Sequence, residues 1–365
     1  MKHQEYMKLA ISLAAATKGQ TSPNPQVGAV VVKDGEILGM GAHLKAGTPH
    51  AEVHAIAAAG EKAKGADIFV TLEPCSHFGR TPPCADLIIN SGIKRVFIAS
   101  EDPNPLVAGK GITRMEEAGI EVVTGLMHEE ADALNEPFFH FIKTKTPYVT
   151  IKAASSFDGK TAAKTGDSKW ITSPESRQDV HRLRHEHDAI LTGVSTIIHD
   201  NPLLTARLPQ GGKNPIRIIL DTNLRIPADA NVIRDQAVKT IIYTGSGIDE
   251  TKAEEIKRFG VEIVAFPSKV ISIKEVLKDL GERNIMTLFV EGGSEVHASF
   301  IKSRSFQQVI LYMAPKIIGG KEAIPFVGGI GADFVKDAPS LEFVEIERIG
   351  RDLKITAKPL KEAQD

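Results

Sequence analysis

Four residues in the first quarter of the chain have the types and spacing of a reactive centre: His50, Glu52, Cys75 and Cys84. Thiolate and imidazole ligands suit zinc. The chain has two cysteines, so an all-thiolate site is out of reach, and His50 completes a His-Cys-Cys set. Three protein ligands leave a fourth tetrahedral position for water, which is the catalytic rather than the structural arrangement. Zinc brings the pKa of such a water toward neutrality and makes it a nucleophile. The alternatives are a disulfide, disfavoured in a reducing compartment, and two unrelated buried thiols at element ends.

His54 offers a rival geometry. His50 and His54 lie four apart, the spacing that shares one helix face. A zinc-protease helix uses it as H-E-x-x-H, whereas this chain reads H-A-E-V-H. On a regular helix Glu52 points away from His50. Both reach one site only when it lies off the helix N-terminus, where first-turn side chains lean. Pro49 fits a helix start there. Glu52 then serves as a proton carrier beside the metal, and His54 is a packed or surface histidine. H-x-E followed by P-C-x-x-C marks zinc nucleobase deaminases. This chain has H-A-E and P-C, but eight residues, SHFGRTPP, separate its cysteines. That insertion reads as a substrate loop, where His77 and Arg80 could meet an anionic group, or as plain solvated polarity.

The elements that must position these residues alternate strand and helix from end to end, which predicts an α/β fold. VGAVVVKDGEILGMGAH reads as a β-hairpin around Asp34-Gly35, a strong turn pair. A helix follows from about His50. DIFVTL, RVFIAS and IEVVTG read as strands, with CADLIINSG and GITRMEEAG as helices between them. This sheet is complete by about residue 140. Lys143 to Pro147 is polar and holds a proline, so two domains are expected, 1–145 and 146–365. In the second, YVTIKAA, AILTG, IRIILD, TIIYTG, VEIVAF, MTLFVEGG and QVILYMA read as strands. Ser173 is a candidate N-cap with Pro174 at the first helical position, and LEFVEIERIGRDLKITAKP is a closing hairpin.

The second half carries a different chemistry. FVEGGSEVHASF is a strand, a glycine pair and a helix start, where backbone N–H groups can hold a pyrophosphate. It lacks the G-x-G-x-x-G spacing and fits a plain strand–helix turn equally well. Asp221-Thr222 ends a strand with Arg225 nearby; a hydroxyl and an arginine there suit the 2′-phosphate of NADP. Trp170, the single tryptophan, is placed to stack on a ring or to anchor the core. Arg184 and Arg207 are candidate phosphate clamps, with a solvated face as the alternative.

At 365 residues, 42% hydrophobic and 25% charged, the composition is that of a globular protein. The net charge of −2 gives no basic footprint for nucleic acid. No run is long and apolar enough for a membrane helix. LAISLAAA near the N-terminus reads as an amphipathic first helix rather than a signal peptide. A cytoplasmic protein with reduced thiols is expected.

TSPNPQVGAVVV, TPHAEVHA, TLEPCSHFGRTPPC and DPNPLVAGKG resemble the deaminase half of the bifunctional riboflavin biosynthesis proteins of the RibD family. The resemblance implies a cytidine-deaminase-like fold and one Zn2+ per chain. It implies hydrolytic removal of the 2-amino group from a diamino-ribosylamino-pyrimidinone 5′-phosphate. It carries His50, Cys75 and Cys84 over as zinc ligands and Glu52 as the proton donor. Asn24, His43, His77 and Arg80 carry over as substrate contacts.

VTIKAASSFDGKTA, SKWITSPESR, HRLRHEHDAILTGVSTIIHDNPLLTAR and FVEGGSEVHASF are similar to the reductase half of the same family. That half implies a dihydrofolate-reductase-like fold and hydride transfer from NADPH to the sugar C1′, opening the ribose to a ribityl chain. Ala154, Trp170, Thr196, Asp200, Thr222 and the run Gly293, Ser294, Glu295, Val296, His297, Ala298, Ser299 carry over to the cofactor. Ser168, Thr172, Arg184, Leu204 and Arg207 carry over to the substrate. Glu291, at a strand end where substrate and nicotinamide would meet, and Lys152 facing it are candidates for handling the accompanying proton. The expected partner is a phosphorylated pyrimidine, with neither nucleic acid nor membrane, and a homo-oligomer is expected. Two other readings stay open. One is a deaminase of nucleic-acid bases with an accessory dinucleotide-binding domain. The other is a zinc-stabilised module whose fourth ligand is His54 or His77.

Overall fold

The structure, a computed structural model, describes residues 3–76, 82–104 and 108–360. The chain forms two compact units, Met1–Lys145 and Thr146–Asp365.

The first unit opens with α1 (His3–Ala15), β1 (Gly28–Lys33) and β2 (Glu36–Ala42). Asp34 and Gly35 join the strands with φ of 52° and 84°, the paired left-handed conformations that a tight hairpin turn requires. Then come α2 (Ala51–Ala59), β3 (Asp67–Leu72), α3 (Cys84–Asn90), β4 (Arg95–Ser100), α4 (Lys110–Glu117), β5 (Glu121–Thr124) and α5 (His128–Thr144). The sheet order is β2-β1-β3-β4-β5, with β3, β4 and β5 parallel.

Alternation along the strands feeds two cores. Ala29, Val31, Ile68, Val70, Val96 and Ile98 pack with residues of α2, α3 and α4. Val30, Val32, Phe69 and Phe97 pack with Tyr6, Met7 and Ala10 of α1 and Ala131 of α5. Both faces of the sheet are therefore covered, which accounts for the near-continuous apolar runs in its strands.

Helix α2 lies unusually close to β2. A Cβ on Gly39 would sit 2.2 Å from the Ala55 carbonyl oxygen, and one on Gly41 would sit 2.4 Å from the His54 Cβ. Only glycine permits that approach, and it sets where the first turn of α2 begins.

The second unit starts with β6 (Tyr148–Ser156), β7 (Lys160–Ala162), α6 (Pro174–Glu186), β8 (Ala189–Gly193) and α7 (Val194–Asp200). It continues through β9 (Ile216–Leu220), α8 (Asn231–Arg234), β10 (Thr240–Thr244), α9 (Glu250–Lys257), β11 (Glu262–Ala265) and α10 (Ile273–Glu282). It ends with β12 (Thr287–Val290), α11 (Ser294–Lys302), β13 (Gln308–Ala314), β14 (Ile324–Pro325), β15 (Leu341–Ile349) and β16 (Asp352–Pro359). Nine strands run in the order β11-β10-β9-β8-β12-β6-β13-β16-β15. They are parallel from β11 to β13, after which β16 and β15 are antiparallel. Helices α6 to α9 cover one face and α10 and α11 the other. The short β7–β14 ribbon is too brief for sequence periodicity to signal.

Ser173 caps α6, accepting from Ser176 N, with Pro174 at the first helical position. No helix among the described residues is long and apolar enough to cross a membrane.

Candidate active sites in the two units

In the first unit His50 is not inside α2 but at its N-cap, with extended backbone at φ −74° and ψ 167°. Pro49 thus precedes the cap instead of opening the helix. This turns the imidazole off the helix end. Cys75 follows the end of β3, and Cys84 opens α3. His50 Nδ1 lies 3.2 Å from Cys84 Sγ and 3.6 Å from Cys75 Sγ. All three ligand atoms fall within 4.8 Å of one another, compact enough for one tetrahedral ion. The Cys84 backbone N–H also donates to Cys75 Sγ.

Protons are shared within this cluster. Hydrogen bonding from the Cys84 thiol, aided by His50, pulls Cys75 down to about 4, while the same contact and burial push Cys84 up. Contact with Cys75 raises His50. A set that already stabilises one thiolate and shares its remaining protons is suited to exchanging them for a cation.

Glu52 sits in the first turn of α2 and is 3% exposed. Burial raises its pKa, against the pull of His50. Its Oε2 is buried with no hydrogen-bond partner. Cys84 engages the carboxyl, but a buried acceptor left unpaired costs stability, which is the mark of a group kept for a ligand or a proton. His50, Glu52 and Cys75 open on a cavity of about 490 Å³ whose wall also includes Asn24, His43, Glu73, Asp102 and Asn104.

His43 is buried, and burial holds its pKa down. Its Nδ1 is 3.2 Å from the Pro49 carbonyl oxygen and its Nε2 is 3.1 Å from Asn24 Nδ2. A carbonyl only accepts, so Nδ1 carries the proton and Nε2 accepts from the Asn24 amide. Both nitrogens are used, and His43 orients Asn24 at the cavity wall. His77 and Arg80 lie outside the described residues. His54 is not a member of the metal-type cluster among the described residues.

In the second unit, functional groups gather at the carboxyl ends of the parallel strands, the usual ligand edge of such a sheet. Glu291, just past β12, accepts from Lys152 Nζ at 3.1 Å and Arg184 Nε at 2.9 Å. Burial alone would raise Glu291, but the Arg184 and Lys152 charges outweigh it and hold the carboxyl at about 2. Arg184 also donates to the Thr205 carbonyl. Burial, with the Arg184 charge close by, lowers Arg207, and burial with the charges of both arginines brings His181 to about 4.

A separate cavity of about 310 Å³ is lined by Gly193, Ser195, Leu220, Thr222, Asn223, Arg225 and Val296, among others. It lies at the ends of β8 and β9 beside the first turn of α11. The N-terminus of α11 has no side-chain cap. A Cβ on Gly292 would sit 2.8 Å from Val296, so that position is closed to a side chain, whereas one on Gly293 would meet Thr196 Oγ1 at an ordinary 4.0 Å.

Comparison with known proteins matches both units. Residues 1–100 match the cytidine and deoxycytidylate deaminase zinc-binding region, and residues 147–355 match the RibD C-terminal domain. The riboflavin biosynthesis protein RibD of Bacillus amyloliquefaciens is 55% identical over 360 residues, 99% of this chain and 97% of that protein. The chain belongs to the RibD family. Among solved structures, RibD of Acinetobacter baumannii is 35% identical with a TM-score of 0.89, covering 98% of this chain and 99% of that one. A Thermotoga maritima protein described as a diaminohydroxyphosphoribosylaminopyrimidine deaminase/5-amino-6-(5-phosphoribosylamino)uracil reductase is 38% identical. Its TM-score is 0.85 over 98% of each chain. The fold is accordingly a cytidine-deaminase-type domain followed by the dihydrofolate-reductase-like RibD reductase domain.

Against this RibD frame the expected reductase residues divide into groups. Lys152, Arg184 and Glu291 meet directly. Thr222 and Val296 line the 310 Å³ cavity. Trp170 is 61% exposed, so it is no core anchor, and the Arg177 guanidinium lies over its ring at 4.3 Å. Asp200 pairs with Lys169 at 3.3 Å. Leu204 is buried in the core beside Val180 and Ile190 with φ at 53°, so only its backbone can meet a ligand. Glu295 accepts from Gly329 N, and His297 Nδ1 donates to the Phe326 carbonyl; these two side chains tie α11 to the following loop. Thr172 gives its carbonyl to Arg177.

Several residues escaped sequence reasoning. Asp352, fully buried, accepts from Ser173 N and Ser176 Oγ at the start of α6. No local signal links positions so far apart. Glu73 directly follows the buried strand β3, two residues before Cys75, and an acid at that place was a readable signal.

Proposed function

We propose that Met1–Lys145 is the deaminase domain and Thr146–Asp365 the NADPH-dependent reductase domain of one bifunctional enzyme. The chain is a deaminase and reductase of riboflavin biosynthesis. In this reading the first domain removes the 2-amino group of 2,5-diamino-6-ribosylamino-4(3H)-pyrimidinone 5′-phosphate by hydrolysis. The second reduces the ribose of the product to a ribityl chain.

The observation that carries the reading is the cluster of His50, Cys75 and Cys84 beside the buried Glu52, one oxygen of which is unpaired, at the wall of one cavity. The donor set fits zinc, which when bound supplies an acidified water as the nucleophile. Glu52 takes up and returns the protons that hydrolysis moves, as general acid and base. Asn24, oriented by His43, contacts the pyrimidine.

In the reductase domain, NADPH supplies the hydride. Gly293 and Ser294 at the α11 start would hold its pyrophosphate, and Thr196, Ala154, Ala298 and Ser299 are the further residues assigned to it by the family resemblance. Thr222 and Arg225 suit its 2′-phosphate. Arg184 and Arg207 form a cationic pair that suits the substrate phosphate, and Ser168, Thr172 and the Leu204 backbone are assigned to substrate contact by the family resemblance. Glu291, held as a carboxylate, carries no proton at neutral pH. Lys152 is therefore the proton donor, and Glu291 aligns it and Arg184.

The test is direct. Zinc-loaded protein given the pyrimidine substrate and NADPH is expected to release ammonia and then consume NADPH. Folded, zinc-loaded protein that does neither refutes the reading.

A further inference from the structure

Glu73 is 4% exposed and lines the deaminase cavity without belonging to the metal-type cluster. Its carboxylate is fully engaged by backbone. Oε2 accepts from Asp102 N at 3.3 Å and Gly109 N at 3.0 Å, and Oε1 accepts from Gly111 N at 3.0 Å. Two of these donors, Gly109 and Gly111, sit at the start of α4, whose N-cap is Gly109 and which has no side-chain cap of its own, while Asp102 lies on the chain that leaves β4. Glu73 thus supplies from β3 the cap that α4 lacks, with its charge at the favourable end of the helix. The approach is tight: a Cβ on Gly111 would sit 2.2 Å from the Pro74 carbonyl oxygen.

The segment held in this way reaches the substrate space. Asp102 and Asn104 line the same cavity as His50 and Glu52, and Asp102 Oδ1 accepts from Asn104 N at 2.8 Å. The polypeptide that carries Glu73 places Cys75 two residues later. One strand end therefore fixes both a sulfur of the metal-type cluster and the opposite polar wall.

We propose that Glu73 is a positioning residue of the deaminase centre, holding Asp102 and Asn104 at the cavity wall and so setting the affinity for the pyrimidine substrate. This rests on the deaminase reading above. A neutral amide at this position would offer one acceptor oxygen in place of two and bring an NH₂ group against backbone donors. The segment would shift, while His50, Glu52, Cys75 and Cys84 would stay in place.

The experiment compares full-length, zinc-loaded wild type with Glu73→Gln and Glu73→Asp in steady-state ammonia release. Zinc content and NADPH-dependent reduction of the deaminated intermediate are measured on the same preparations. Glu73→Gln is expected to raise KM for the pyrimidine roughly 10- to 100-fold, as loss of charge-assisted hydrogen bonds predicts, with kcat within about threefold of wild type. Zinc content and reductase rate stay at wild-type level. Glu73→Asp keeps the charge but is shorter, and its KM is expected between the two. A KM unchanged in Glu73→Gln, or a loss confined to kcat with falling zinc content, overturns the proposal and makes Glu73 a folding residue. Wild type that releases no ammonia refutes the deaminase reading itself.

Discussion

Glu52 is a buried acid and Glu291 a half-buried one, and their surroundings give them opposite parts. Among the described residues no arginine or lysine holds Glu52 ionised, burial raises it, and one of its oxygens has no hydrogen-bond partner. It can therefore change protonation during a reaction. Glu52→Gln is expected to lower ammonia release by about 10²- to 10⁴-fold, the usual worth of a general acid–base group, with zinc content unchanged. Loss of zinc in that variant would make Glu52 a ligand instead. Glu291 is clamped between Lys152 and Arg184 and held at about 2, below the ordinary 4.5. A folded-state pKa below the unfolded one stabilises the fold above the unfolded value, and that contribution fades as pH falls toward the folded one. Glu291→Gln is thus expected to destabilise the second unit at neutral pH, with the gap to wild type closing as pH drops below about 5 toward 2. Urea unfolding followed by Trp170, the chain's single tryptophan, reads this out. A gap that is constant with pH would remove the ion-pair account.

At the scale of elements, the deaminase centre depends on where α2 starts. The hairpin, the order of strands and helices, and the cap at Ser173 were legible in the sequence because they rest on local periodicity and turn chemistry. The pairing of His50 with Glu52 was legible for the same reason, since both lie within one turn. Contacts between distant segments were not: Asp352 with Ser173 and Glu73 with Gly109 depend on tertiary packing that no local pattern encodes. The two glycines of β2 lie between these cases, visible as a repeat but silent about what they admit. A Cβ on Gly41 would meet the Ala51 carbonyl oxygen at 2.7 Å as well as His54. Gly41→Ala is expected to push the first turn of α2 outward at a cost of about 1–3 kcal/mol, typical of overpacking. Ammonia release and zinc retention should both fall, while reduction of the deaminated intermediate persists. Unaltered zinc retention would show that the α2 start tolerates the shift.

At the scale of the whole chain, the two chemistries make incompatible demands, which favours separate units. A hydrolytic zinc centre needs water beside its metal, whereas hydride transfer is served by a site that excludes it. Each unit has its own sheet with its own two cores, and each site is built from residues of one unit alone. Neither site then requires the ligand of the other to be formed. Removing zinc with a chelator is expected to abolish ammonia release while leaving NADPH consumption from the deaminated intermediate at its original rate. Zinc contributes to the fold wherever its ligands come from distant segments, as the proposed ligands His50, Cys75 and Cys84 do, so chelation should also lower the unfolding midpoint of the first unit. The tryptophan signal from the second unit should not move. Parallel loss of both activities on chelation would instead mean that the reductase site depends on a metal-supported first domain, and the two centres would then be coupled rather than merely joined.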